Sequence, residues 1–192
     1  MPKTVAPVVI PGSMRGHAQP VLYVDELTLR PWTVGDVPAL VAAYADPSIQ
    51  RWHARWMTLT EANEWVSRVN ENWRSETAAN WAVTERDELV GRMSLRTVDL
   101  EDGLAGIGYW VVPAARGRGI APRALVAVSD WAIDELGLHR LELEHSTRNQ
   151  ASCRVADKAG YSLESTKRSQ ALHEDGWHDM HLHVRLDRRW CR

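Results

Sequence analysis

Arg116, Gly117, Arg118 and Gly119 form the stretch whose residue types and spacing best suit the capture of an anion. The two glycines lack Cβ, so the backbone can turn successive N–H groups towards one point and let a ligand approach closely. Ile120 and Ala121 then open a helix, whose first amides lack an intrahelical acceptor and whose dipole favours negative charge. Pro122 fits the first helical turn, where a missing N–H costs nothing. A Walker loop would need Gly-Lys-Ser/Thr where Ile120-Ala121 follows, and a dinucleotide fingerprint would need a third glycine that the stretch lacks.

The elements around the bend follow from periodicity. Ile107 to Val112 is a short apolar run rich in β-branched and aromatic residues, as a buried strand requires. Ala121, Ala124, Leu125, Val128, Trp131 and Ala132 recur at helical spacing. Further on, Asn149 has the chemistry of a helix N-cap and Gly160 that of the residue just past a helix end. The rest of the chain predicts a first strand at Leu27 to Trp32, a helix from Asp36 to Asp46, and a loop or short helical piece up to Thr60. A helix capped by Thr58 or Thr60 runs to about Ser75. Strands are expected at Trp81–Thr84, Leu89–Leu100 and Leu141–Glu144, and a last pair, Tyr161–Leu172 and Trp177–Leu186, around the hairpin signal Glu174-Asp175-Gly176.

Arg116, Gly119 and Ala121 meet the pattern Arg/Gln-x-x-Gly-x-Gly/Ala, and the stretch resembles the pyrophosphate-binding motif of the GNAT N-acetyltransferase superfamily. The segment from Asn149 to Tyr161, Asn-x-x-Ser-x-Arg-Val-x-x-Lys-x-Gly-Tyr, is similar to the RimJ/RimL-like branch, which acetylates ribosomal-protein N-termini. The resemblance is specific from about Gly106 to Leu186. It implies an α/β (α+β) GNAT fold: a mixed, mostly antiparallel sheet of about seven strands, splayed between the fourth and fifth, with helices on both faces. It also implies acetyl-CoA as co-substrate, with no metal. Backbone groups of Val111 and Val112 would pair with the pantetheine arm. Arg116, Gly117, Arg118, Gly119, Ile120 and Ala121 would surround the pyrophosphate, with Asn149 beside them.

Acetyl transfer to an amine further asks for a proton acceptor, an oxyanion stabiliser and an acid for the leaving thiolate. Many relatives use a tyrosine in the helix after the Asn, but Ala156 occupies that position here. Ser152 is the substitute the resemblance offers; its plain alternative is an ordinary helical serine near the cap. For the base, Glu144 comes first because its strand borders the splay, then His145, then Glu101. The glutamate some relatives carry on the penultimate strand has no counterpart between Ser165 and Leu172. Trp52, His53 and Trp56 fall in the loop that crosses the acceptor end in this family, where aromatic faces can hold an ammonium group or a ring. Their alternative role is a lid on the core.

A chain of 192 residues suits one domain, expected over residues 21–192 behind a loose arm at 1–20 punctuated by Pro2, Pro7, Pro11, Pro20, Gly12 and Gly16. The formal net charge of −2 gives no signature for nucleic acid. No apolar run is long enough to span a bilayer. Cys153 and Cys191 are too few for a disulfide framework, which points to a reducing cytoplasm. His178, His181 and His183 are expected on the wet face of a hairpin, without the further ligands a metal would need. The acceptor is expected to be a primary amine, on a protein N-terminus or a small molecule, and a homodimer is left open. Two rival readings are a non-catalytic acyl-CoA binder and a structural protein whose bend is only a turn.

Overall fold

A computed structural model of the chain describes residues 4–190; Cys191 and residues 1–3 lie outside the described part. The described chain forms β1 (Leu22–Val24), β2 (Leu27–Pro31), α1 (Val37–Ala45), α2 (Pro47–His53), α3 (Leu59–Arg74), β3 (Ala79–Glu85), β4 (Glu88–Asp99) and β5 (Leu104–Val111). Then come α4 (Ile120–Asp130), β6 (Arg140–Ser146), α5 (Gln150–Lys158), β7 (Ser162–His173) and β8 (Gly176–Leu186). The strands make one sheet in the order β1-β2-β3-β4-β5-β6-β8-β7, eight strands rather than about seven. The addition is β1, whose three residues pair with β2 and are too few to carry a period.

Every adjacent pair is antiparallel except β5 and β6, which run parallel from Leu104↔Arg140 to Ile107↔Leu143. Beyond Ile107 and Leu143 the two strands part company, leaving Gly108–Val111 and Glu144–Ser146 unpaired to each other. This is the expected splay, and it opens a V in the middle of the sheet.

Each face of the sheet buries its own cluster. Trp81, Met93, Leu95, Ile107, Leu141 and Leu143 pack with Leu125 and Val128 of α4 on one face. Trp32, Leu40, Tyr44, Trp65, Val66 and Trp110 pack between α1, α3 and the opposite face. Helix α3 begins with a complete capping box: Thr58 and Glu61 satisfy each other's backbone N–H groups. Helix α5 is bracketed as its sequence indicates, with Asn149 Oδ1 accepting from the Ser152 amide and Gly160 at φ +78°.

The N-terminal arm is not loose from Val8 onward. Val8 and Val9 donate to the carbonyls of Glu101 and Leu100 at 3.0 and 2.9 Å, and Val9 and Met14 are buried in the core. The Glu76 carboxylate accepts from the amides of Gly12 and Met14, both at 2.8 Å. Trp73 and Trp81 donate their indole N–H groups to His17 and Pro20 carbonyls, each at 2.8 Å. The segment has no period because distant side chains and loop carbonyls, not a regular ladder of its own, satisfy its backbone. Among the described residues, no helix is long and apolar enough to cross a membrane.

Candidate active site

Gly117 and Gly119 adopt φ of +77° and +74°, a left-handed conformation that costs L-residues with a Cβ roughly 1–2 kcal/mol. Gly119 is the N-cap of α4. Among the described residues, none of the backbone N–H groups from Gly117 to Ala121 donates to an acceptor of the chain. Five consecutive amides are thus left for a ligand or water, at the positive end of a helix.

A cavity of about 340 Å³ extends from this bend, lined by Arg116, Gly117, Gly119, Ile120 and Ala121. It continues past Tyr109 and Val111 of β5 and Asn149 and Ser152 of α5 to Trp52 and His53 of α2. Seven of the nine residues expected to hold the co-substrate therefore share its wall. Arg118 and Val112 do not. The Arg118 guanidinium is drawn away to Glu85 at 2.5 Å, so its side chain is not aimed at the bend. The Val112 amide donates to the Val90 carbonyl at 3.0 Å and is spent within the sheet. Polar groups alternate along a strand, so Val111 and Tyr109 instead turn theirs away from β4, towards the splay. Arg154 and Lys158, four apart on α5, add two cations to the wall; their i,i+4 spacing after the Asn149 cap was the signal for them.

Ser152 is nearly buried, and its Oγ lies 2.6 Å from the Tyr109 hydroxyl. Burial pushes Tyr109 up to about 12, outweighing the opposing Ser152 hydrogen bond, so the phenol keeps its proton at physiological pH. Tyr109 went unnoticed as a site residue because a tyrosine in an apolar strand looks like core. Only the splay, which removes β6 from its side, brings α5 within reach. Ala156 is fully buried and offers no hydroxyl.

Helix α2 ends at Ala54, which is left-handed at φ +45°. This turns the following residues outward and leaves Trp56 68% exposed. Trp56 is therefore not part of the cavity, contrary to expectation, while Trp52 and His53 are. Trp52 packs edge-on against His173, whose ring stacks on His178 at 4.1 Å. The β7–β8 hairpin thus packs against α2, whose Trp52 and His53 line that end of the cavity. Burial, reinforced by the charge of Arg92, holds His53 down to about 4, against the pull of the Tyr109 carbonyl. Arg92 lies over the Trp65 ring at 5.0 Å and, among the described residues, bonds the neutral groups of Tyr44, Asn80 and Ser94.

The three candidate bases separate. Glu144 occupies the first position of β6 past the last β5 pair, bordering the splay on the face opposite Ser152, and is ion-paired to Lys167. It lines a neighbouring hollow with Arg96 and Glu142 rather than the Ser152 cavity. His145 faces α5, its Nδ1 bonded to the Ser146 carbonyl at 2.8 Å. Glu101 sits in the turn before β5, at the far end of that strand from the splay. His178 and His183 are buried rather than wet: β8 runs between β6 and β7, α5 covers His183, and on the other face Ser146 and His173 cover His178.

Known proteins share this fold. The structure superposes on RimL, a ribosomal-protein α-N acetyltransferase in complex with coenzyme A, with a TM-score of 0.82 at 21% identity, over 88% of this chain and 99% of that one. Mycobacterium smegmatis RimJ in complex with CoA-disulfide gives 0.79 at 24% identity, covering 90% of this chain and 88% of RimJ. In sequence, the uncharacterised N-acetyltransferase p20 of Bacillus licheniformis is 24% identical over 88% of this chain and 98% of its own length. A ribosomal-protein-serine acetyltransferase of Escherichia coli is 28% identical over 57% of this chain and 61% of its own. The acetyltransferase (GNAT) domain model matches residues 26–162, and the chain belongs to that family, as an acyl-CoA-dependent N-acetyltransferase.

Proposed function

We propose that this protein acetylates a free α-amine, that of a protein N-terminus, in the cytoplasm, with acetyl-CoA as donor. The observation that carries the reading is the continuity of one cavity from five unbonded amides at Gly117–Ala121 to the Ser152–Tyr109 hydroxyl pair and on to α2. Acetyl-CoA supplies a diphosphate at one end and an acyl thioester at the other. The bend suits the diphosphate, with Arg116, Arg154 and Lys158 adding charge. The outward N–H groups of Tyr109 and Val111 suit the pantetheine amides and the developing oxyanion.

In this reading the acceptor enters from the α1–α3 face of the splay. An uncharged amine attacks the thioester carbonyl, and the carbon–sulfur bond then breaks. The thiolate takes a proton from the Ser152 hydroxyl, which Tyr109 replenishes, and Tyr109 regains its own from solvent once the products leave. The amine's surplus proton passes to Glu144.

The amine's own acidity selects its class. An α-ammonium loses its proton near 7.7–8.0, whereas a lysine side chain holds it to about 10.4. Glu144 is committed to Lys167 and His53 is a weak base, so neither suits stripping a proton from a lysine. The positive Arg92, which helps depress His53, would equally favour the free base of an incoming amine. The printed roles of RimL and the E. coli relative, both acetyltransferases of ribosomal proteins, point the same way.

A thiol-release assay with acetyl-CoA tests this. Peptides with a free N-terminus should turn over, and the same peptides carrying only a lysine amine should not. Lysine-only turnover would overturn the acceptor class; binding of acetyl-CoA without turnover of any amine would overturn the activity.

A further inference from the structure

Away from the cavity, four potential metal ligands converge between the sheet and α5. His145 on β6 lies directly across the ladder from His181 on β8. His183 follows two residues on, along the same face. Cys153, in the first turn of α5, caps them from above. One ligand atom from each of these four side chains lies within 4.8 Å of all the others. We propose that His145, Cys153, His181 and His183 form a tetrahedral site for a divalent metal of the zinc class.

Three features of the cluster support this. First, tetrahedral zinc with bonds of about 2.0–2.3 Å sets its ligand atoms roughly 3.3–3.8 Å apart. Cys153 Sγ and His183 Nε2 already stand at 3.7 Å, and the other edges need rotamer adjustments of about 1.5 Å or less from the observed 4.8 Å limit.

Second, the protonation states are ready. His145 Nδ1–H is taken by the Ser146 carbonyl at 2.8 Å, which leaves the lone pair on Nε2. That outer hydrogen bond is the usual support of a metal-bound imidazole. His145 Nε2 and His181 Nδ1 are both buried without a hydrogen-bond partner, an arrangement that costs free energy unless something else satisfies them.

Third, charge and access fit. Binding a divalent ion to Cys153 forms the Sγ–metal bond and releases the thiol proton to solvent, whereas a neutral imidazole ligates through its lone pair without losing a proton. The resulting single positive charge lies one helical turn from Asp157 of α5. Cys153 and His181 are partly exposed and offer an entry path.

Such an ion ties α5 to β6 and β8, next to Ser152. It is a structural tie; the site does not depend on the acetyltransferase reading and is tested without substrate.

The test is to strip the reduced, full-length protein with a chelator and titrate it with Co²⁺. One equivalent should bind, with the intense visible bands of tetrahedral cobalt and a near-ultraviolet thiolate-to-metal charge-transfer band. Zn²⁺ should displace it and raise Tm. Cys153→Ser should remove the charge-transfer band, and His181→Asn should weaken zinc binding by more than about tenfold. Cys191→Ser and His17→Asn should change neither. Absence of the band in the unaltered protein, its survival in Cys153→Ser, its loss in Cys191→Ser, or the weak spectrum of octahedral cobalt would each overturn the site. Since the unaltered protein alone can give a negative result, failure of a variant to fold does not protect the proposal.

Discussion

The two ends of the cavity are built on different principles. The donor end comes from one contiguous run, Arg116 to Ala121, and what it presents is mainly backbone: unbonded amides, two left-handed glycines and a helix start. The catalytic and acceptor end is assembled from side chains of α2, β5 and α5, which meet only in the fold. A backbone site tolerates surface variation but not a Cβ in the wrong place. A side-chain site can lose one group and keep part of its function. Substitutions at each end should therefore fail in different ways.

The largest effect is expected at the donor end. Gly119→Trp places a bulky side chain at a left-handed N-cap beside the open amides and should lower acetyl-CoA affinity by about a hundredfold or more, beyond the roughly 1–2 kcal/mol of backbone strain. Calorimetric titration measures this directly, and near-normal affinity would mean that the amides are not the binding surface.

At the other end, Ser152→Ala and Tyr109→Phe should each lower kcat by about ten- to a hundredfold with coenzyme affinity little changed. If the two hydroxyls act as one relay, the double variant should fall little further than either single one. Full multiplication of the two effects would separate them.

The third test concerns stability. His53 titrates at 6.5 when free but at about 4 in the fold, so the folded state binds fewer protons between those values. Its contribution is fully present above pH 6.5 and is lost as pH falls towards 4. Because the ring is buried only in part, that loss should be on the order of 1–2 kcal/mol. Urea unfolding of His53→Leu across this window should show a correspondingly flatter pH dependence, and an unchanged slope would place the ring in water.

The smallest effect belongs to Glu144→Gln, which should reduce kcat/KM by about fivefold near pH 6.5, where the α-amine is mostly protonated, and by less near pH 8.5. A uniform loss at all pH values would assign Glu144 to holding Lys167 rather than to proton transfer.

What could be read in advance tracks this division. The Thr58–Glu61 box, the Asn149 cap, the Gly160 end and the glycine bend are local devices, each confined to a few residues, and each stands where its spacing indicates. Arg118, Trp56 and the N-terminal arm did not follow expectation. In each case a distant partner or a local backbone turn decided: Glu85 for Arg118, left-handed Ala54 before Trp56, and Glu76, Trp73 and Trp81 for the arm. Tyr109 was overlooked, and His178 and His183 were expected on a wet face, for the same reason, since period assigns a residue to a face but not to the neighbour across it.

The amino-acid order alone determined where helices begin and end, which residues turn inward and where an anion can be gripped, because these depend on Cβ sterics, amide geometry and apolar spacing over a few residues. Tertiary structure decided which side chains share a cavity and which cancel each other in ion pairs. It also set the divergence of β5 from β6 after Ile107 and Leu143. That divergence opens a gap in the sheet, through which α5 can lay Ser152 against Tyr109.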